Sequence, residues 1–241
     1  GESRGAEPSP SMPPPLSGRA AELRAELLSL VASLDRGSAA TAEDAAKVRK
    51  LVGGLVAEAA KEPRWRLNFP EDLDRLEGSW RLLYSSGFAE GRSSLGGLRA
   101  GPPLDSPVLE VGNIYQRYRI SESRADTVVE LRPPKWLRDT GLLDNVPFLR
   151  DSDPDTVLTL TQQFDVASRD SLRFAFVDGQ VVNKVIQQLQ TLRFPLAPLG
   201  ISVDTSRDGP FTDTLITTYC DGRMRIGLGG RFGELRIFLR T

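Results

Sequence analysis

The sequence predicts a mainly β protein, an antiparallel β-barrel or β-sandwich that is preceded by N-terminal helices. Three observations lead to this prediction. Apolar residues recur at helical spacing as far as Ala59, which places them on one face of a helix. Beyond Pro70 apolar and polar residues alternate, which is the pattern of strands. Aspartate–glycine pairs, which favour tight hairpin turns, lie between strand candidates.

The chain divides into three predicted segments. Residues 1–15 contain five prolines and almost no side chain that could pack, so a disordered tail is expected. Residues 16–64 are expected to form a helical hairpin and residues 65–241 the β domain. The chain begins with Gly1 rather than methionine, so we expect that it was processed or cut from a longer sequence, with any targeting peptide outside it.

The two helices are predicted from apolar stripes and from their end signals. The first begins near Ser17 and stops before Gly37, a residue type that often ends helices. The second is capped by Thr41 and ends before Pro63. Adjacent glycines in its middle weaken it by up to ~1 kcal/mol each. The apolar positions of the two stripes are Leu23, Leu27, Leu30, Val31, Leu34, Val48, Leu51, Val52, Leu55, Val56 and Ala59.

Nine segments with alternating polarity are strand candidates. They cover residues 80–84, 114–120, 127–131, 158–166, 172–177, 181–186, 213–219, 223–228 and 234–240. Hairpin turns are predicted at Asp178-Gly179 and at Asp221-Gly222. Eight or nine strands with tight turns favour a meander that closes into a barrel or folds into a sandwich. A barrel of about eight strands would enclose room for one small ligand.

Composition and charge exclude several classes of protein. Hydrophobic residues make up 39% and charged residues 26% of the chain, which are ordinary globular values. No apolar run approaches the ~18 residues needed to cross a bilayer. The 31 basic and 32 acidic side chains leave a net charge of -1, so no nucleic-acid partner is predicted.

The chain has no histidine, which excludes Ser-His-Asp and Cys-His catalysis and every histidine-ligated metal site. The single Cys220 is expected to be a buried strand thiol. Residues 151–155 resemble the start of a calcium loop, but Thr156 and Gln162 stand where a glycine and a glutamate are needed. No catalytic residue, metal or cofactor is therefore predicted, and a pair of carboxylates is the alternative route to catalysis that stays open.

Three segments in order carry a family resemblance. Residues 76–86 read LEGSWRLLYSS, residues 112–117 read GNIYQR, and residues 218–239 begin TYCDGRMRIG. The chain resembles the plastid lipid-associated proteins, or fibrillins, whose domain opens near L-x-G-x-W-x-L-x-Y-[ST]-[ST] and closes near T-x-Y-L-D-x-x-L-R-I-x-R-G-x-x-G. Cys220, Met224 and Leu228 depart from that pattern. The matching positions are Gly78, Trp80, Tyr84, Gln116, Tyr219, Asp221, Arg225, Ile226 and Gly233.

The resemblance implies a lipocalin-like barrel in the chloroplast, at plastoglobules, at the thylakoid surface or in the stroma. It implies a non-enzymatic protein whose partners are a lipid or isoprenoid small molecule and a plastid membrane or lipid-droplet surface. The alternatives are a scaffold or regulatory module for another plastid protein, with a barrel filled by its own side chains, and a carboxylate-based enzyme acting on lipid. An apolar lumen of at least ~300 Å³ would favour a bound ligand, and a filled interior would favour the scaffold.

Polar and aromatic residues expected to face the lumen are the candidate ligand contacts: Gln116, Tyr118, Gln162, Phe164, Phe174, Phe176, Tyr219 and Arg225. A buried amide is costly unless it is hydrogen-bonded. The two glutamines therefore either orient the polar head of a ligand or bond to each other, to backbone or to trapped water. Further residues are expected to point inward because each lies on the more apolar side of its strand: Leu158, Leu160, Leu172, Leu215, Met224, Ile226, Leu235, Ile237 and Leu239.

Four residues are predicted to have structural roles: Gly78, Trp80, Tyr84 and Asp221. Trp80 is expected to fill one barrel end on the same strand face as Tyr84, with Arg225 stacked on its indole ring.

Two segments could meet a lipid surface. The long connection of residues 133–155 is expected either to insert into lipid through Trp136, Leu142 and Phe148 or to cap the barrel. The arginines near the C-terminus are expected to form either a patch for anionic headgroups or a solvated outer face. They are Arg223, Arg225, Arg231, Arg236 and Arg240.

Overall fold

The computed structural model describes residues 18–62, 65, 67–90, 94–95, 98–99, 110–132, 156–183, 192–194, 212–229 and 233–241. The tail predicted for residues 1–15 lies outside these ranges. So does the 133–155 connection with Trp136, Leu142 and Phe148, the candidate lipid-docking residues, and so does Arg231.

Two helices precede the sheet, α1 (Gly18–Ala32) and α2 (Ala42–Ala59), and pack against each other as predicted. Thr41 caps α2, since its hydroxyl accepts from the Asp44 amide at 3.1 Å while the Asp44 carboxylate accepts from the Thr41 amide at 3.0 Å. The Asp44 carboxylate also accepts from the Thr41 hydroxyl at 2.7 Å, and the hydrogen bonds that it accepts from this hydroxyl and from the Thr41 amide lower the pKa of Asp44. A one-turn helix, α3 (Ser86–Ala89), follows the first strand. No helix in the described ranges is long and apolar enough to span a membrane.

The described residues contain eleven strands: β1 (Gly78–Ser85), β2 (Ser94–Leu95), β3 (Leu98–Arg99), β4 (Glu110–Arg119), β5 (Arg124–Arg132), β6 (Thr156–Ser168), β7 (Ser171–Asn183), β8 (Leu192–Phe194), β9 (Thr212–Cys220), β10 (Met224–Gly229) and β11 (Glu234–Arg240). Eight of them pair antiparallel in the order β1-β4-β5-β6-β7-β9-β10-β11, and β11 returns to β1. Strand β8 adds to β7, while β2 and β3 form a separate hairpin. The predicted lipocalin-like antiparallel barrel with preceding helices is confirmed.

The two barrel ends differ. Strands β1, β5, β7 and β10 begin at the end that we call the closed end, where residues 67–77 pack against the interior and contribute the fully buried Leu76. Strands β4, β6, β9 and β11 begin at the opposite end, the mouth. The connections of residues 133–155 and 184–211 join strands at the mouth.

The hairpin predicted at Asp178-Gly179 is wrong. Strand β7 runs without interruption through both residues, because β6 is equally long and pairs with it along its whole length. A register shift near Gln162 accommodates the extra residue as a bulge. The turn lies instead at Arg169-Asp170, between β6 and β7. The turn predicted at Asp221-Gly222 is confirmed.

The molecule has two apolar cores, one inside the barrel and one between the helices and the outer wall of β1 and β9–β11. Because of the second core, part of the predicted side-chain orientation in β10 and β11 is wrong. Several residues expected to point inward belong to the outer core instead: Met224, Ile226, Leu235 and Ile237, with Leu239 packed against it. Their strand neighbours Arg225 and Phe238 face the interior, as do Leu215 and Leu82. The outer side is the more apolar one because helices cover it.

Tyr84 also differs from its predicted position on the face of Trp80. A bulge between Leu82 and Tyr84 reverses the alternation of β1, so Tyr84 packs in the outer core. The α1–α2 loop docks beside this bulge. The Ser85 amide donates to the Arg36 carbonyl at 2.9 Å, and the Arg36 guanidinium donates to the Val111 carbonyl at 2.8 Å.

Candidate ligand site in the barrel interior

Trp80 closes one end of the barrel interior. It is fully buried, and its indole nitrogen donates to the Leu76 carbonyl at 2.8 Å. The guanidinium carbon of Arg225 lies 5.4 Å from the centroid of the Trp80 ring, so the predicted pairing is confirmed. Arg240 covers the same ring at 4.3 Å and donates to the Gly222 carbonyl at 2.6 Å. Partial burial lowers the pKa of Arg240.

Arg225 is a fully buried cation held by dipoles and rings. It donates to the Tyr118 hydroxyl at 2.6 Å and to the Gln116 side-chain oxygen. Its guanidinium carbon lies 4.4 Å from the Phe238 ring centroid and 4.9 Å from that of Tyr118. Among the described residues no carboxylate pairs with it, and its Nε has no partner. Because burying a charge is costly, these few contacts must compensate for the desolvation of the Arg225 guanidinium.

Tyr118 joins this cation to an aromatic cluster. Its ring centroid lies 5.9 Å from that of Phe164 and 6.2 Å from that of Phe174, both in edge-on geometry. The rings of Phe164 and Phe174 are 6.0 Å apart. Burial raises the pKa of Tyr118, and Arg225 opposes this shift only in part. The closed end is therefore a packed plug around a neutral phenol and one guanidinium.

A small cavity lined by both polar and apolar side chains lies above this plug. Gln116, Thr127 and Gln162 contribute to its wall, and its volume is about 20 Å³, which is enough for roughly one water molecule. The Thr127 hydroxyl donates to the Gln162 side-chain oxygen at 3.3 Å. The amide nitrogens of both glutamines have no partner among the described residues. Phe176 lies beside this level, because it pairs with Gln162 across β6 and β7.

The mouth side of the cavity is charged. Buried Arg236 donates to Glu234 at 3.0 Å and to Asp213 at 3.3 Å, so one cation lies between two carboxylates. Sequence reasoning assigned Arg236 to the surface and missed both acids. Arg236 and Phe238 are two positions apart in β11, so they lie on the same face of the strand. This spacing is the signal that could have revealed an inward-facing arginine. Arg225 and Arg236 are buried, so they belong neither to a patch for anionic headgroups nor to a solvated outer face, the two alternatives expected for the C-terminal arginines.

Tyr219 does not face the lumen as predicted, because it packs in the outer core against the helices. Its hydroxyl donates to the Asp221 carboxylate at 2.8 Å, and burial raises its pKa. Asp221 also accepts from the Arg223 and Met224 amides at 2.8 and 2.6 Å. Its ion pair with Arg24, at 2.9 Å, ties the β9–β10 turn to α1.

Two other residues have plain structural positions. Gly78 opens β1 with a φ of 103°, which an L side chain rarely adopts, and a Cβ there would lie 3.2 Å from Arg240. Cys220 is fully buried, and burial raises the pKa of its thiol, so the prediction of a buried strand thiol is confirmed.

Comparisons with known proteins agree with this architecture. The sequence profile of the PAP_fibrillin family matches residues 21–239. The chain is 31% identical over 219 residues to plastid-lipid-associated protein 6, chloroplastic, of Arabidopsis thaliana, covering 90% of this chain and 69% of that protein. This match confirms the predicted chloroplast localisation. No solved structure matches the chain.

Proposed function

Since this chain belongs to the PAP_fibrillin family of plastid lipid-associated proteins, we propose that it is a non-enzymatic protein that docks onto isoprenoid or acyl lipid at plastoglobules or thylakoids. In this proposal the apolar body of the lipid stays outside the barrel. The protein recognises a lipid assembly and does not enclose a whole lipid molecule.

The filled interior is the observation that places the lipid body outside the barrel in this proposal. Ligand pockets usually measure ~300 to 1,000 Å³, whereas the cavity beside Gln116 and Gln162 measures about 20 Å³. Trp80, Tyr118 and Phe174 occupy the space below it. A lipid body would have to displace these side chains, and each displaced ring would lose its own burial energy.

The two glutamines could bind the polar head of a docked lipid. Their amide nitrogens are donors without partners among the described residues, and they line a space of about one water. A carbonyl or hydroxyl oxygen from a docked lipid head would satisfy them, and a trapped water would do so otherwise. In this proposal Gln116 and Gln162 contact the lipid head, while Arg225 and Tyr118 keep the floor rigid.

The proposed docking surface is the 133–155 connection. Strand β5 ends and β6 begins at the mouth, so this connection starts and finishes at the mouth. Its residues Trp136, Leu142 and Phe148 would enter the lipid. Burying an apolar side chain contributes ~1.5 to 3 kcal/mol, so three of them would supply useful affinity.

A scaffold for another plastid protein is the second candidate, because a filled barrel was its distinguishing expectation. The hairpin would then bind a partner through the side that faces away from the outer core. Its apolar stripe is already used, since Leu27 and Leu55 are fully buried in the outer core.

Flotation on triolein droplets coated with phosphatidylcholine tests the docking proposal. Replacing Trp136, Leu142 and Phe148 together by Ser should lower the floated fraction at least about tenfold, given the burial energies above, and leave the melting temperature unchanged. Val177→Ser is the matched control, because Val177 is an exposed apolar residue of the barrel wall.

Lipid extraction and mass spectrometry of the purified protein complete the test. We expect far less than one isoprenoid or glycerolipid molecule per chain after gel filtration. A stoichiometric isoprenoid or glycerolipid would contradict docking without enclosure. Unchanged flotation of the triple variant would remove the connection from the docking surface.

A further inference from the structure

Two clefts lie outside the barrel along one face of α2. A cleft of about 460 Å³ lies beside Val56 and Ala59, and a cleft of about 390 Å³ lies beside Arg49, Val52 and Gly53. These residues are three or four positions apart, which places them on one face of the helix. From residue 49 to residue 60 the helix rises about 16 Å. We call the two clefts together the α2 groove.

The barrel wall between the clefts is apolar and uncovered. Leu228 lines the smaller cleft and pairs across β9 and β10 with Ile216. Thr217, the residue after Ile216, lines the larger cleft. Ile216 is 40% and Leu228 36% exposed, which makes them two of the most exposed large apolar residues of the described chain. An apolar strip therefore links the two clefts.

Gly53 keeps the smaller cleft open. Glycine in a helix interior is less favourable than any residue with a side chain except proline. A Cβ at Gly53 would meet nothing within 4 Å, so no described neighbour requires glycine there. At Gly54, by contrast, a Cβ would meet Leu23 at 3.4 Å. The space above Gly53 is consistent with an occupant that approaches the helix backbone.

Of the two clefts, only the larger one, near the end of α2, is lined by residues whose buried polar atoms lack a partner among the described residues, whereas the polar lining of the smaller cleft includes the paired Arg49 and Glu90. The Trp65 indole nitrogen and the Thr217 hydroxyl are buried and have no partner among the described residues. The exposed Arg169 and the carboxylate of Asp170 line the same cleft. The Asp170 carboxylate accepts from the Ser168 hydroxyl at 2.7 Å. An indole nitrogen, a hydroxyl and a guanidinium together suit an oxygen-bearing anion.

We propose that the α2 groove binds a single-chain amphiphile with a carboxylate head. The chain lies along Val52, Gly53 and Val56, and the head meets Arg169 and the hydrogen-bonding groups of Trp65 and Thr217. This site goes beyond the proposed docking at the mouth, because it lies on the outer wall and takes one molecule rather than a lipid surface.

Calorimetric titration with laurate, and with dodecanol as its uncharged analogue, tests the proposal. Gly53→Leu should weaken binding of both probes at least tenfold without lowering the melting temperature, since the new side chain fills the cleft without a clash. Lys47→Leu, on the side of α2 toward α1, is the control and should bind both probes like the original chain. Equal binding by Gly53→Leu, or no laurate binding by the original chain, would overturn the site.

Arg169→Gln tests the position of the head. It should weaken laurate about tenfold and leave dodecanol unchanged, while Arg117→Gln, at another exposed arginine of the wall, changes neither. Equal effects on both probes would overturn the assignment of the carboxylate. Droplet flotation separates this proposal from the docking one, since Gly53→Leu should float like the original chain.

Discussion

Arg225 in the closed end and Arg236 near the mouth are buried arginines of neighbouring strands, yet their surroundings differ. Three aromatic rings, the hydroxyl of one of them (Tyr118) and the Gln116 amide contact Arg225, whereas two carboxylates contact Arg236. Among the described residues, the interior of the closed end therefore holds one buried cation without a carboxylate partner, and the mouth side holds one buried cation between two carboxylates. One barrel can stabilise a buried guanidinium either by aromatic and dipolar contacts or by ion pairs, and the two choices respond differently to mutation.

The largest effect should come from the floor of the closed end. Trp80→Ala removes a fully buried indole and the surface against which Arg225 and Arg240 stack. We expect a loss of ~3 to 5 kcal/mol in the free energy of unfolding. Urea denaturation followed by circular dichroism measures it. A loss below about 1 kcal/mol would show that the ring is not part of the packed floor.

The two arginines should differ when each is replaced by methionine. Arg236→Met leaves Glu234 and Asp213 buried without their shared cation, which typically costs ~3 to 5 kcal/mol. In Arg225→Met the thioether can pack against the same rings, and only two neutral groups, on Tyr118 and Gln116, lose their hydrogen-bond partner. We therefore expect the free energy of unfolding to fall by ~1 to 3 kcal/mol. Equal losses in the same urea experiment would remove the contrast between the two ends.

The two glutamines sharpen the comparison at smaller scale. Gln116→Leu removes the acceptor of a charged donor and should cost ~1.5 to 3 kcal/mol. Gln162→Leu removes one neutral bond to Thr127 and should cost ~1 kcal/mol or less. Thermal unfolding of both variants checks the order. A larger loss of stability in Gln162→Leu than in Gln116→Leu would mean that the contacts of the amides in the cavity matter more for stability than the hydrogen bond to Arg225.

The smallest effect concerns alkaline pH. Burial raises the pKa of Tyr118 above its ordinary value, so the unfolded chain ionises first and the stability falls as the pH rises through about 10. Tyr118→Phe should make this decline shallower, which urea unfolding at several alkaline pH values would show. Tyr219→Phe is a comparison outside the lumen, since burial also raises the pKa of Tyr219. An unchanged slope in both variants would contradict the sign.

Much of the architecture could be predicted because it depends on local pattern. Alternation gave the strands of the barrel, and Thr41 and the Asp221-Gly222 pair marked a helix start and a turn. Trp80 and Arg225 were paired through the family resemblance. These features survive because each depends on residues close together in sequence or on a motif read as a whole.

The inward and outward sides of β10 and β11 could not be predicted from polarity. Helices bury the outer wall, so Ile226 and Ile237 are apolar on the outside while Arg225 and Arg236 lie inside. Alternation reports burial, and here both sides are buried. The bulge in β1 likewise changes the side on which Tyr84 lies, and no residue in the sequence of β1 indicates a bulge.

The pairing of β1 with β11 has a consequence for how the chain folds. Nearly all of the strand sequence separates these two partners, and the outer core needs β9–β11 to cover the stripes of α1 and α2. Closure of the barrel must therefore wait for its last strand, and folds dominated by such distant contacts form slowly. A chain in which β11 is unpaired exposes an edge of β1 and part of the apolar stripes of α1 and α2 together, and exposed edges and apolar faces favour aggregation.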